Sequence, residues 1–230
     1  MKRVFGFLLF LFGFISVSAG NFVTVNGTHF KRNGSAYYSV GTNFWYGPIL
    51  GSQGMGGDRN RLIRELDALK ALGIDNLRIL VGADAGSKNA NTVFPYLQPK
   101  PNVLNDTILA GLDFMLAEMG KRDMLAVLYL TNSWDWSGGY GFYLKECGYG
   151  DSPNAAGDGY NAYVKYASDF VREPKALKMY YDFVRSIVSR TNRYTGKAYK
   201  DDPAIMSWQI CNEPRPFAKD NKDLFYNWIS

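Results

Sequence analysis

One pattern constrains this chain more than any other. An apolar stretch, a loop and a segment with helical spacing of apolar residues follow one another, and the cycle repeats along most of the length. Asp58 can cap a helix whose Leu62, Ile63, Leu66, Leu69 and Leu72 keep that spacing, and Gly73 stops it. Asp75 to Val81 then reads as a strand carrying Arg78. Asn105 or Asp106 starts a second helix with Ile108, Leu109, Leu112, Leu116 and Met119, and Gly120 ends it before the apolar strand Met124 to Leu130. Pro174 opens a third helix, with Leu177, Tyr180, Tyr181, Val184, Ile187 and Val188 on one face. Asp201-Asp202-Pro203 leads into a strand from Ala204 to Cys211, and another helix begins near Lys222. Ahead of the cycle, Phe22 to Phe30 predicts a hairpin with an Asn26-Gly27 turn, and Tyr37 to Thr42 predicts a short strand running into Asn43-Phe44-Trp45-Tyr46.

Such alternation means a parallel sheet wrapped by helices, an α/β fold. The run Leu125 to Leu130 has the apolar continuity of a strand buried on both faces. Long loops follow the strands and short ones return from the helices, as in a (β/α)8 TIM barrel, whose active site lies on the loops after the strands. No Gly-x-Gly-x-x-Gly opens a helix, which argues against a doubly wound dinucleotide fold. Only four βα units are present, whereas a complete barrel takes about 250 residues. The expectation is therefore the first half of a barrel domain over residues 20–230, its C-terminal half missing. The segment Thr131 to Arg172 shows no periodicity and is expected to be a long functional loop.

Residues 1–19 read as a secretory signal peptide: Lys2 and Arg3, the apolar run Val4 to Val17, and a small-residue site at Val17-Ser18-Ala19. The expected location is outside the cytoplasm, extracellular or periplasmic, with no membrane attachment once the leader is removed. Loss of Lys2 and Arg3 lowers the net charge from +5 to +3, and no Lys/Arg stripe is visible, so nucleic acid is not an expected partner. One His and two Cys cannot build a His-based zinc site. A Ser-His-Asp triad would depend on His29 alone. Cys147 and Cys211 are expected to be separate thiols. Aromatic residues make up 16% of the chain, which leans towards stacking on flat ligands such as sugar rings or bases.

The most informative segment runs from Asp201 to Pro216. Glu213 is a carboxyl at the end of a buried strand, Pro214 stiffens the turn behind it, and Asn212 sets an amide beside it. Glycoside hydrolysis needs an acid on the leaving oxygen and a second carboxylate opposite. Together with Gly41-Thr42-Asn43-Phe44-Trp45, Asn76-Leu77-Arg78, Leu130-Thr131-Asn132-Ser133-Trp134-Asp135, Gly138-Gly139 and the Tyr194 to Lys200 approach, this segment resembles glycoside hydrolase family 5, endo-β-1,4-mannanase subfamily, over most of residues 37–217.

The resemblance implies that Glu213 is the general acid/base, that Asn212 contacts the substrate 2-hydroxyl, and that Arg78 steadies the charge of the nucleophile. It implies a glycan cleft lined by Trp45 and Trp134, with Tyr143 as a further candidate. The acid's pKa is expected to be raised by burial and by a neighbouring carboxylate. Gln209 stands where many relatives carry Glu. The family's nucleophile, a Glu at the end of the seventh strand, has no counterpart here; Asp135, Asp151 and Asp158 read as turn formers. The expected protein is a secreted, monomeric, retaining endo-β-1,4-mannanase acting on internal linkages of mannan-type polysaccharide, without metal or organic cofactor. This chain is expected to be an inactive fragment of it. The alternatives are another β-1,4-glycanase, a cellulase or xyloglucanase, and a carbohydrate-binding protein without catalysis on the same scaffold.

Overall fold

Residues 22–86 and 92–230 are described by the computed structural model. The leader read at 1–19 lies outside the described residues. Strands β1 (Thr24–Asn26), β2 (His29–Arg32) and β3 (Ser35–Tyr37) form an antiparallel sheet in that order. Asn26 pairs with His29, so the expected turn closes the first hairpin, with Gly27 in the left-handed region at φ 62°. The single strand expected from Tyr37 to Thr42 is divided: Tyr37 ends β3, exposed Tyr38 and Val40 cross between sheets, and β4 (Gly41–Asn43) opens the second sheet.

That second sheet is parallel, β4-β5-β6-β7, with β5 at Asn76–Leu80, β6 at Leu125–Tyr129 and β7 at Ile205–Gln209. After β4 comes the short helix α1 (Gly47–Leu50), then α2 (Arg59–Ala71), capped as expected by Asp58, whose side chain accepts from the Arg61 N–H at 2.9 Å. Helix α3 (Asp106–Lys121) is capped by Asn105, which accepts from the Thr107 N–H at 3.0 Å. It runs one residue past Gly120, and the turn into β6 is made at Asp123, φ 52°.

Strand periodicity divides the sheet's two faces. Leu77, Ile79, Ala126 and Leu128 point outward into a core shared with Leu62 and Leu66 of α2 and Leu112, Met115 and Leu116 of α3. The alternate residues Asn43, Asn76, Arg78, Val127 and Gln209 line the opposite, inner face. Helix α3 is tied to the chain beyond the next long helix by fully buried Asp113, which accepts from Arg190 at 2.9 and 2.6 Å and from the Tyr199 hydroxyl at 2.6 Å.

The aperiodic segment is not a loop throughout. It contains α4 (Gly139–Leu144) and α5 (Tyr160–Ala167), joined by turns. With α6 (Pro174–Val188) and α7 (Lys222–Ile229) these build a second core of Tyr140, Phe142, Tyr143, Tyr163, Phe170, Tyr180 and Trp228. The Tyr140 and Phe170 rings are stacked at 4.2 Å. The buried face of α6 centres on Ala176, Tyr180, Phe183 and Ile187, so Tyr181 lies at its margin, part-exposed. Cys147 and Cys211 are separate thiols. No described helix is long and apolar enough to cross a membrane.

Candidate active site

Four residues singled out in the sequence meet at the C-terminal edge of the parallel sheet. Arg78, at the centre of β5, projects from the inner face. Its Nε donates to Gln209 Oε1 at 2.8 Å and its Nη2 to Asn212 Oδ1 at 3.0 Å; Nη1 reaches Asn43 Oδ1 at 3.4 Å. Its guanidinium lies 4.2 Å from the Tyr129 ring centre. Amide oxygens and a ring face orient the cation without cancelling its charge, and among the described residues no carboxylate pairs with it.

Asn212 continues β7 by a bridge to Asn132, just past β6. Its N–H donates to Thr131 O at 2.8 Å and its Nδ2 to Asn132 Oδ1 at 3.0 Å. Asn132 Oδ1 also accepts from the Trp134 N–H, and Asn132 Nδ2 donates to Ser137 Oγ, so one buried amide organises the whole turn. Gly138 and Gly139 have positive φ here, and a Cβ on Gly139 would sit 2.2 Å from Asn132 O.

Glu213 follows in the left-handed region at φ 46°, an uncommon conformation for a non-glycine residue. Its carbonyl accepts from Ser133 Oγ at 2.6 Å, which fixes the backbone. Its Oε2 accepts from Trp134 Nε1 at 2.8 Å and from Arg215 Nη2 at 3.2 Å, leaving Oε1 clear of both. The side chain is half-exposed. Among the described residues the indole N–H foremost, then Arg215, holds the carboxyl below the usual carboxylate range, because both donors favour the ionised form and little burial opposes them; the neighbouring carboxylate on which the expected upward shift depends is not among these residues.

Trp134 therefore stands at the site with its indole on the carboxylate, beside the rings of Tyr160 and Phe217, both at 5.2 Å. Trp45 lies on the rim after β4, exposed and edge-on to Trp136. Tyr143 is a correction: it is fully buried in the second core, and its hydroxyl accepts from Gln98 Nε2 at 3.2 Å, so it lines no cleft. Its place on a short helix enclosed on every side gives it no open face. Of the loop aspartates, Asp135 accepts from Asn154 Nδ2 and Ala155 N–H, and Asp158 from Asn154 N–H, as turn formers do.

Sequence reasoning missed the contributions of Asn132, Ser133, Tyr129 and Arg215. Asn132, Ser133 and Arg215 belong to motifs quoted for the resemblance, but spacing alone does not say which of them turns back onto Glu213. A hollow at the other end of the strands, bounded by Phe114, Lys121, Asp123, Tyr194 and Pro203, shares none of these groups. Among the described residues no cluster of His, Cys, Asp and Glu could hold a metal ion.

A family model described as GH family 5 beta-mannosidase-like matches residues 20–230. The chain belongs to this family. A crystal structure of a Glycoside Hydrolase Family 5 Mannosidase from Rhizomucor miehei superposes with a TM-score of 0.81 at 33% identity, covering 91% of this chain and 54% of that one. Mannan endo-1,4-beta-mannosidase 1 of Oryza sativa subsp. japonica is 29% identical over 92% of this chain and 45% of its own length. Mannan endo-1,4-beta-mannosidase 4 of Solanum lycopersicum is 29% identical over 92% and 48%. The chain thus spans about half the length of the curated relatives it matches. Its α/β unit, parallel sheet β4–β7 with its helices, corresponds to about half of a family 5 TIM barrel.

Proposed function

We propose that this chain supplies the acid/base half of a secreted, retaining endo-β-1,4-mannanase, active when the remaining half of the barrel provides the nucleophile. The observation that carries the reading is Glu213. It stands at the C-terminal end of β7 in a constrained backbone, with one carboxylate oxygen tethered by Trp134 and Arg215 and the other free, beside an Asn212 amide held by Arg78 and Asn132. Active sites of (β/α)8 enzymes lie at this end of the strands. Relatives named mannan endo-1,4-beta-mannosidases, and a family 5 mannosidase from Rhizomucor miehei studied with mannosyl-fructose, support a mannose-containing substrate.

In the first step Glu213 gives its proton to the glycosidic oxygen while the opposing carboxylate attacks the anomeric carbon, breaking the glycosidic bond and forming a glycosyl ester. In the second, Glu213, now ionised, takes a proton from water as the water oxygen attacks the same carbon and releases the ester. Two inversions give net retention, which requires the carboxyl groups about 5–5.5 Å apart. A second carboxylate at that distance favours the protonated form of Glu213 and opposes the pull of Trp134 and Arg215. The unneutralised Arg78 would steady the attacking carboxylate, and exposed Trp45 would offer an indole face to a sugar ring.

In the complete protein, Glu213→Gln is expected to lower hydrolysis of unactivated mannan by about 10²–10⁴-fold. Reducing-sugar release is compared on mannan, glucomannan and carboxymethylcellulose. Wild-type rates in the variant remove Glu213 from the chemistry; preference for carboxymethylcellulose replaces the mannanase reading with a cellulase one.

A further inference from the structure

Asp84 lies just beyond β5, and the mechanism above does not use it. It is almost fully enclosed, 1% exposed, yet among the described residues it has no cationic partner. Its carboxylate collects neutral donors from two loops. Gln98 Nε2 donates to Oδ1 at 2.9 Å, Thr131 Oγ1 donates to Oδ2 at 3.2 Å, and the Gly139 N–H also points to it. The Asp84 N–H donates to Ser137 O at 2.9 Å. The loop after β6 closes directly over it: a Cβ on Gly138 would sit 2.3 Å from Asp84 O, so only glycine allows that approach.

Thr131 carries the connection onward. Its carbonyl accepts from the Asn212 N–H at 2.8 Å, and the next residue, Asn132, holds both the Asn212 amide and the Trp134 N–H. Two hydrogen bonds and one threonine therefore separate the Asp84 carboxylate from the residue that precedes Glu213. We propose that Asp84 is a positioning residue whose protonation state sets the arrangement of Thr131, Asn132, Trp134 and Asn212 around Glu213.

The chemistry of the donors gives the direction. An ionised Asp84 needs hydrogens from all its partners, and the Thr131 hydroxyl supplies one. On protonation one carboxyl oxygen must donate instead. The Gln98 amide nitrogen and the Gly139 N–H cannot accept, whereas the Thr131 hydroxyl can, so the Asp84–Thr131 bond reverses. Burial without a countercharge pushes the Asp84 carboxyl up to about 7, which puts this reversal in the neutral range. The titratable groups facing it are Tyr143 of α4, Tyr180 of α6 and Cys211 beyond β7, and burial raises all three above their ordinary values. His29, the only histidine, lies on β2 of the other sheet.

This inference rests on the reading of Glu213 as acid/base for its catalytic consequence alone, and the test separates the two. The Trp134 indole N–H resonance, assigned by its loss in Trp134→Phe, is followed in the complete protein from about pH 5.5 to about pH 8.5. The background is Glu213→Gln, so that Glu213 itself cannot titrate. A transition with a midpoint near 7 is expected. It should vanish in Asp84→Asn and in Thr131→Val, the latter while the Asp84 carboxyl carbon still titrates. A flat profile in the background protein, or an unchanged transition in a folded Asp84→Asn or Thr131→Val, overturns the proposal whatever the enzyme's activity.

Discussion

Glu213 shows how neighbouring groups set the protonation of one carboxyl. A half-exposed glutamate would ordinarily titrate near the model-peptide value, but two donors on a single oxygen move it down. Because the Trp134 hydrogen bond is the largest contribution, and because it stabilises the charged form, its removal must make the proton harder to lose. Trp134→Phe is therefore expected to raise the Glu213 titration midpoint, read from the carboxyl carbon by NMR; a midpoint that stays put or falls contradicts the assignment. At this scale the sequence was partly legible. A glutamate followed by proline at the end of an apolar strand, and an arginine within another, stand out because charge is expensive where strands are buried. The indole on the carboxylate was not legible, since it depends on how the β6 loop folds back across 79 positions of sequence.

Among the elements, α3 owes its place to more than its apolar face. Asp113 is completely buried and receives Arg190 in two-pronged fashion, with Arg193 and the Tyr199 hydroxyl completing its shell. Removing Asp113 leaves the largely buried Arg190 guanidinium and the buried Tyr199 hydroxyl without their acceptor. In the complete protein, Asp113→Ala is thus expected to cost about 3–5 kcal/mol, seen as a lowered denaturation midpoint with the slope unchanged. A loss below about 1 kcal/mol would place the pair with surface salt bridges. Helices α2, α3 and α6 were legible because each has a marked start, at Asp58, Asn105 and Pro174, and apolar residues that recur at helical spacing. Helix α4 was not: Tyr140, Phe142, Tyr143 and Leu144 are all buried, so no polar face alternates with an apolar one. That same enclosure took Tyr143 out of the cleft to which sequence reading assigned it.

For the molecule as a whole, the decisive fact is that the parallel sheet is closed on one face only. Among the described strands, β4 pairs with β5 alone and β7 with β6 alone, so both edges of the sheet have unused backbone hydrogen-bonding groups. Beneath them lies an inner face bearing Asn76, Arg78, Val127 and Gln209, where a closed barrel would pack side chains in layers. The outer core is complete without further chain, since Leu62, Leu66, Leu77, Ile79 and Leu112 are already fully buried. The two halves of that balance point in opposite directions: secondary structure should form, while free edges recruit other copies. Residues 20–230 expressed alone are expected to show helical circular dichroism, a broad thermal transition, association that grows with concentration, and no release of reducing sugar from mannan. Sedimentation, a melt followed by circular dichroism and a reducing-sugar assay on one preparation decide it. A sharp cooperative melt of a monomer with measurable turnover would mean that the open sheet is satisfied from within this half and that Glu213 suffices without an opposing carboxylate. Neither follows from a cation whose hydrogen-bond partners are amide oxygens or from a glutamate with no carboxylate opposite it among the described residues.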